Sequence, residues 1–517
     1  MVKSPTSKPP APLKRLTQPL DRTAILLMLV LSIVISLLLL KGDRTAARVR
    51  DFSWQDRQVG AEDTAFILAF SRPMDHASVE NNLRIEPPLP GKFSWAGRRM
   101  AYTLETPVPY GKTFELTLTG ARDRFSSADD PRTQMRPFMG QFRSRNRAFV
   151  YLGVEGQEAG RLVLQNLTQQ EKRILTPETL VVMDFEPYPE GDRILFSATE
   201  RAAQNQGILD QQLYTVTTGI SVAAPAPPLL GVPSSPSPVS KPDQPPGIVE
   251  LVLDSREYQN LKFDLSPDGK TIAVQRVNRQ NPADFGLWLV RSGQPPQQVN
   301  TDPGGDFLIA PDSQSIAMSQ GQGMAILPLD PQHAETLDFL PKYGVILSFA
   351  RDGSAAAMVK FNSNPQKPTR SLFLVTNQGN EKELLTTDGS ILFAEFDAAK
   401  RNLYCLYTKR LDTEEYLEEP YLAAIALETT KVLDLLRLPI QRDIQVSLAP
   451  DNLGILFDQT VTSSEQTSGG LFRSSDGKAI TSSQLWFLPI VQDAQGVPQP
   501  TEPEALGIKG IQPRWLP

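Results

Sequence analysis

The side chains with the clearest capacity for chemistry are carboxylates. Asp268, Asp312, Asp352 and Asp451 recur in one short motif, "SPDG", and in its weaker copies "APDS", "ARDG" and "APDN". Paired carboxylates supply the acid and base of glycoside cleavage. Equivalent turns of a repeated unit, however, lie around a ring and not in one cluster, so these four read as turn residues. A second acidic group, "TEEYLEE" at 413–419, has charge enough for calcium but not the ligand spacing of a calcium loop. It reads as a solvated loop between two strands. There are two histidines, His76 and His333, and one cysteine, Cys405. A histidine-based triad or zinc site has little to draw on. No intrachain disulfide can form, and Cys405 within "NLYCLYT" reads as a small buried apolar residue. The chain lacks G-x-S-x-G, a P-loop, C-x-x-C and H-E-x-x-H, and no G-x-G-x-x-G opens a helix. No catalytic, cofactor or metal residue is therefore assigned, the chain is expected not to be an enzyme, and its binding residues stay open.

At 517 residues the chain is too long for one core. A net charge of −6 argues against nucleic acid as partner, because phosphate recognition needs a basic face. Forty-five prolines imply many loops and linkers. Residues 1–23 read as a Pro-rich disordered tail.

"AILLMLVLSIVISLLLL" at 24–40 holds no charge, Gly or Pro. Seventeen residues at 1.5 Å each reach roughly 25 Å, just enough for a hydrocarbon core. Lys41, Arg44, Arg48 and Arg50 follow where a signal peptide would carry small residues. The expectation is an uncleaved single-pass transmembrane helix in a bacterial cytoplasmic membrane, with the C-terminal domains extracytoplasmic.

From 48 to 146 short strands follow one another. "TAFILAF" places Phe66, Leu68 and Phe70 on one face, and "TFELTLTG" does the same with Phe114, Leu116 and Leu118. Strands with turn signals every 8 to 12 residues predict a β-sandwich. Phe70, Ser71, Pro73, Met74, Asp75, Trp95, Gly111 and Phe114 stand where the bacterial Ig-like domain named after the surface-layer protein SbsA carries its pattern, with Phe114 in place of the usual Tyr. The segment resembles that family. The resemblance implies a spacer or adhesion module without catalytic residues, in which Met74 and Trp95 are core.

From 148 to 517 the turn motif sits between two strands, as "LKFDL" and "KTIAV" flank "SPDG". Pro267 presets φ, Asp268 caps locally and Gly269 accepts the left-handed region. A further apolar strand, "LWLV" at Leu287, and a polar one, "QQVN" at Gln297, complete a four-stranded unit. The third-strand element recurs at Arg161, Gln212, Leu287, Met324, Leu372, Leu422 and Leu485. A period near 40 to 50 residues predicts propeller blades. "AFVYLGV" at Ala148 lacks a preceding partner strand, and "GIQPRWLP" at 510–517 lacks a following one. Together they predict a split blade that closes the ring. The expected fold is all-β with seven blades, or six if the weak unit 306–341 is something else. A Pro/Ser-rich insert, 219–247, lies between the third and fourth strands of its blade, and "DAAKRN" at Asp397 loses both Pro and Gly of the turn. The repeats resemble the WD-like propellers of TolB and other bacterial envelope proteins, which implies binding of proteins or polymers through loops at one face.

Three functions follow as expectations: a membrane-anchored, non-catalytic platform of the cell envelope that binds a protein partner; a cell-wall or exopolysaccharide binder, for which Trp288, Trp486 and Tyr416 are the aromatic pool; and a propeller glycosidase or lyase built on carboxylates joined in space. No cofactor is expected.

Overall fold

The computed structural model describes residues 19–41, 46–125, 134–204, 210–220, 244–330, 337–364, 366, 368–441, 443–463, 471–493 and 496–517. The Pro-rich tail lies almost wholly outside these, as do His333 and most of the insert at 219–247.

The expected membrane span at 24–40, and the single-pass location drawn from it, is corrected. A helix does form at Pro19–Lys41. Among the described residues, however, no helix is long and apolar enough to cross a membrane.

Two four-stranded sheets then pack face to face. One has Ala65–Phe70 and Arg99–Leu104 at its centre, and the other Phe138–Ser144 and Thr113–Leu118. The alternation read from "AFILAF" holds, with Phe66, Leu68 and Phe70 buried and their neighbours half-buried. They meet Trp54, Phe114 and Phe142 in a single apolar core. Met74 belongs to that core. Trp95 is half-buried against it, stacks on His76 at 4.1 Å and donates its indole N–H to Glu80 at 2.9 Å.

Among the described residues, seven four-stranded antiparallel sheets follow from 148 onward. Six begin with an edge strand: Leu180–Pro187, Tyr258–Leu265, Phe307–Ile309, Val345–Phe349, Ile391–Phe396 and Val446–Leu448. In the remaining sheet the corresponding place is taken by the last strand of the chain, Gly510–Trp515, which pairs with Ala148–Gly153. We number that split sheet first and the others second to seventh in chain order. The weak unit at 306–341 folds as four strands like its neighbours.

Each sheet has two apolar faces, and side chains alternate between them. In the sixth sheet Leu403, Cys405 and Tyr407 pack toward the fifth, whereas Tyr404 and Leu406 pack toward the seventh. Every consecutive pair of sheets shares such a cluster. A last cluster joins Leu456 and Leu485 of the seventh sheet to Phe149, Tyr151 and Trp515 of the first. The series therefore returns to its start as a closed β-propeller ring.

The repeated turn is kept even where its residues are not. Gly269, Ser313, Gly353, Lys400 and Asn452 all hold φ between 51° and 69°. Each donates its N–H three residues back, to Ser266, Ala310, Ala350, Asp397 and Ala449. "DAAKRN" thus makes the same turn without Pro or Gly. Ring cooperativity outweighs the small left-handed penalty of a non-glycine residue.

The sandwich is fastened to the turn-bearing face of the ring. Tyr110 donates its backbone N–H to Asp451 at 3.0 Å, and Arg147 pairs with the same carboxylate. Arg145 reaches the Pro189 carbonyl at 3.4 Å and pairs with Glu62. Asp451 is thus more than a turn residue.

Trp515 is 7% exposed and lies edge-on to Phe149 and Phe487. Trp515→Ala should lower the ring's stability by about 3–5 kcal/mol. Deleting 510–517 should abolish cooperative unfolding. Chemical denaturation checks both, and a cooperative transition unchanged by the deletion would show that the closing strand does not hold the ring.

Candidate functional site

The inner strands converge on a cavity of about 460 Å³. Its mouth lies among the repeated turns, at Pro267, Pro311, Arg351, Pro450 and Asn452. Deeper in, Glu186, Asp264 and Glu395 line it together with Ile309, Phe349 and Phe396. The sequence explains this layering. Six inner strands carry an apolar residue just before the turn, buried at Leu265, Ile309, Phe396 and Leu448 and half-buried at Pro187 and Phe349, and the residue one step earlier points the opposite way, toward the axis. At that step stand Glu186, Asp264, Leu308, Ser348, Glu395 and Ser447.

These axial side chains tie the sheets together. Glu186 accepts the backbone N–H of Leu265 at 3.0 Å, and Asp264 accepts that of Ile309 at 2.5 Å. Glu395 accepts from Leu448. Ser447 accepts from Trp515 at 3.1 Å. In every case the acceptor sits on one inner strand and the donor on the next sheet's inner strand. Behind the cavity Asp458 accepts the N–H groups of Gln445 and Gln512, each at 2.8 Å, and so pins the closing strand.

Burial dominates the electrostatics. It pushes Asp264 up to about 6, against the Ile309 N–H and the positive charges of Lys262 and Arg514. It pushes Glu395 up to about 7, against the Leu448 N–H, Arg351 and Arg514. Glu186 is raised well above the usual carboxylate range by burial and by the nearby charge of Asp264, with Arg514 opposing. Asp458 is raised to about 7, again by burial. Buried carboxyls at and behind the cavity thus hold their protons more tightly than in water, with Arg514 opposing at Glu186, Asp264 and Glu395, and Arg351 also opposing at Glu395.

The residues singled out in the sequence go elsewhere. Asp268, Asp312 and Asp352 cap their own turns: Asp268 accepts from Lys270, Asp312 from Gln314 and Ser315, and Asp352 from Ser354. They do not converge. Cys405 is fully buried, and its thiol is pushed up to about 12 by burial. In "TEEYLEE", residues 413–416 form an exposed hairpin tip, whereas Glu418 and Glu419 begin a strand. Trp288 is half-buried between Tyr258 and Arg276, and Trp486 is half-buried and stacked on Phe457. Of the three aromatics, Tyr416 alone is exposed. Two features of the sequence, used together, find the cavity where the turn motif alone did not. One is an acid inside an apolar strand, as in "FDL" and "AEF". The other is Arg351, which stands where three sister turns carry Pro.

Each raised carboxyl binds its proton more tightly in the folded than in the unfolded chain. Their contribution to stability is complete below the ordinary carboxyl values of 3.8 to 4.5 and is lost as pH rises through about 6 to 7. The melting temperature should therefore decline across that window, and Asp458→Asn should flatten the decline. Melting curves from pH 4 to 8 test this, and parallel profiles for the two proteins would refute it.

No family model and no curated protein matches the chain. It is similar to the solved structure of TolB from Acinetobacter baumannii, at 10% identity over 78% of this chain and 79% of that one, with a TM-score of 0.37. It is also similar to oligogalacturonate lyase from Vibrio parahaemolyticus, at 10% identity over 67% and 90% of the two chains, with a TM-score of 0.42. Scores this low carry no argument about activity or partner, and the propeller assignment stands on the closed ring of sheets.

Proposed function

We propose that the chain is a non-catalytic interaction platform whose ring binds a protein partner at the turn-bearing mouth of the cavity. In this reading 148–517 form a seven-bladed, TolB-like propeller, one blade per sheet. Residues 48–146 form an SbsA-type Ig-like module that borders the mouth. The observation that carries the reading is the commitment of the axial carboxylates. Glu186, Asp264 and Glu395 each spend an oxygen on the backbone of the next sheet. An acid or base in that position is held by the scaffold and is not free to follow a reacting proton. Arg351, by contrast, is exposed at the mouth and makes no hydrogen bond or ion pair among the described residues. It is free to meet a partner's carboxylate or backbone carbonyl.

One observation favours a second reading. Glu186 and Asp264 both line the cavity, the charge of Asp264 raises the proton affinity of Glu186, and a carboxyl pair is what a glycosidase or lyase needs.

The test is a photo-cross-linker placed at Asn452 in the full chain, with a second one at exposed Glu250 as control. A defined protein should be captured from Asn452 only, and Arg351→Glu should reduce its capture at least tenfold. Capture that Arg351→Glu leaves unchanged would overturn the mouth as the binding site. Glycan cleavage that is lost in Glu186→Gln would replace the platform with the enzyme.

A further inference from the structure

A second recess, of about 260 Å³, opens between the hairpins of the fifth and sixth sheets, away from the axial cavity. It is lined by Phe361, Asn362, Arg370, Asp388, Arg410 and Tyr416 among others. We propose that it binds one ring of a neutral saccharide.

The two aromatic rings are the first reason. Phe361 is 51% and Tyr416 52% exposed. Two half-exposed aromatic rings lining one recess offer apolar faces to a ligand. Each ring is held from behind or beside by a cation. The Arg370 guanidinium lies 6.0 Å from the Phe361 centroid, and that of Arg410 lies 5.3 Å from the Tyr416 centroid. Arg370 is fixed by the Gly389 carbonyl, and the Tyr416 hydroxyl donates to Glu418. The rings are therefore presented rigidly, at small entropic cost to a ligand.

The polar groups around them are the second reason. Among the described residues the Arg410 guanidinium makes no hydrogen bond or ion pair, so its donors face the recess unspent. Asp388 uses Oδ1 to accept the Arg410 backbone N–H at 3.1 Å, which leaves Oδ2 as an acceptor. Asn362 donates its Nδ2 to Thr369 and Ser371, which leaves its carbonyl oxygen. Donors and acceptors thus rim two apolar faces. A pyranose is the complement: a C–H face for the rings and hydroxyls that both donate and accept.

Charge and size set the class. The hairpin beside the recess carries Asp412, Glu414 and Glu415, all exposed, which repel a polyanion and leave a neutral ring favoured. The volume lies below the roughly 300 Å³ at which drug-sized pockets begin, so one sugar ring fits and a folded peptide does not. The proposal is independent of the platform reading, because the recess is at another place on the ring.

The test is saturation-transfer NMR of the full chain with maltotetraose, cellotetraose and chitotetraose, followed by titration of whichever binds. One of the three should bind. Tyr416→Ala and Arg410→Ala should each weaken binding roughly tenfold, while Tyr416→Phe retains it. Thermal melting checks that the variants are folded, and Phe361→Ala serves if Tyr416→Ala is not. Absence of transfer from all three sugars at millimolar concentration overturns the proposal. So does binding that Tyr416→Ala and Arg410→Ala leave unchanged, and so does tighter binding of an acidic oligosaccharide or an acidic peptide.

Discussion

A β-sheet with two apolar faces cannot stop. Each sheet here leaves a second face that only another sheet can cover, so the series must continue until it meets its own beginning. The chain meets that demand by holding back one strand. Gly510–Trp515 completes the sheet begun at Ala148–Gly153, and Trp515 enters the cluster shared by the first and seventh sheets. Nearly everything else follows from this closure: the cavity on the axis, the turns at its mouth, and the flat seat on which the sandwich rests through Asp451 and Arg145.

Closure also explains the odd company of acids on the axis. Inner strands splay where they crowd together, and the outward N–H groups near their ends have no partner within their own sheet. An unpaired buried N–H is costly. A carboxylate from the preceding strand meets it at Leu265, Ile309 and Leu448, and a serine does so at Trp515. The desolvation of those carboxyls is the cost of this arrangement, seen in their raised proton affinity. Structural use of an acid and catalytic use of an acid look alike in composition. They differ in whether the oxygens are already engaged.

The architecture was readable in the sequence to the extent that it depends on local turn chemistry and on period-two alternation. "SPDG" announced hairpins, "AFILAF" announced a half-buried strand, and the unmatched strands at Ala148 and Gly510 announced closure. The turn at Asp397 shows the margin: its residues fit the rule poorly, yet the ring imposes the conformation on Lys400 all the same. What could not be read is whatever depends on residues meeting across sheets. Glu186 and Asp264 are 78 positions apart in the chain, and nothing local tells them that they share an axis. Phe361 and Tyr416 come to line one recess from different hairpins in the same way. The apolar run at 24–40 misled for the opposite reason: hydropathy was read alone, whereas among the described residues no helix is long and apolar enough to cross a membrane.

The axial contacts have one further property. In each of them the side chain belongs to the earlier sheet and the main chain to the later one, so the ring has a sense of rotation. Anything that shifts an inner strand is felt ahead as a moved side-chain acceptor and behind as a moved backbone donor. These are unequal disturbances, because the acceptor is one side chain, whereas a strand's N–H can move only with its whole sheet. A molecule whose parts are nearly equivalent by rotation thus distinguishes clockwise from anticlockwise.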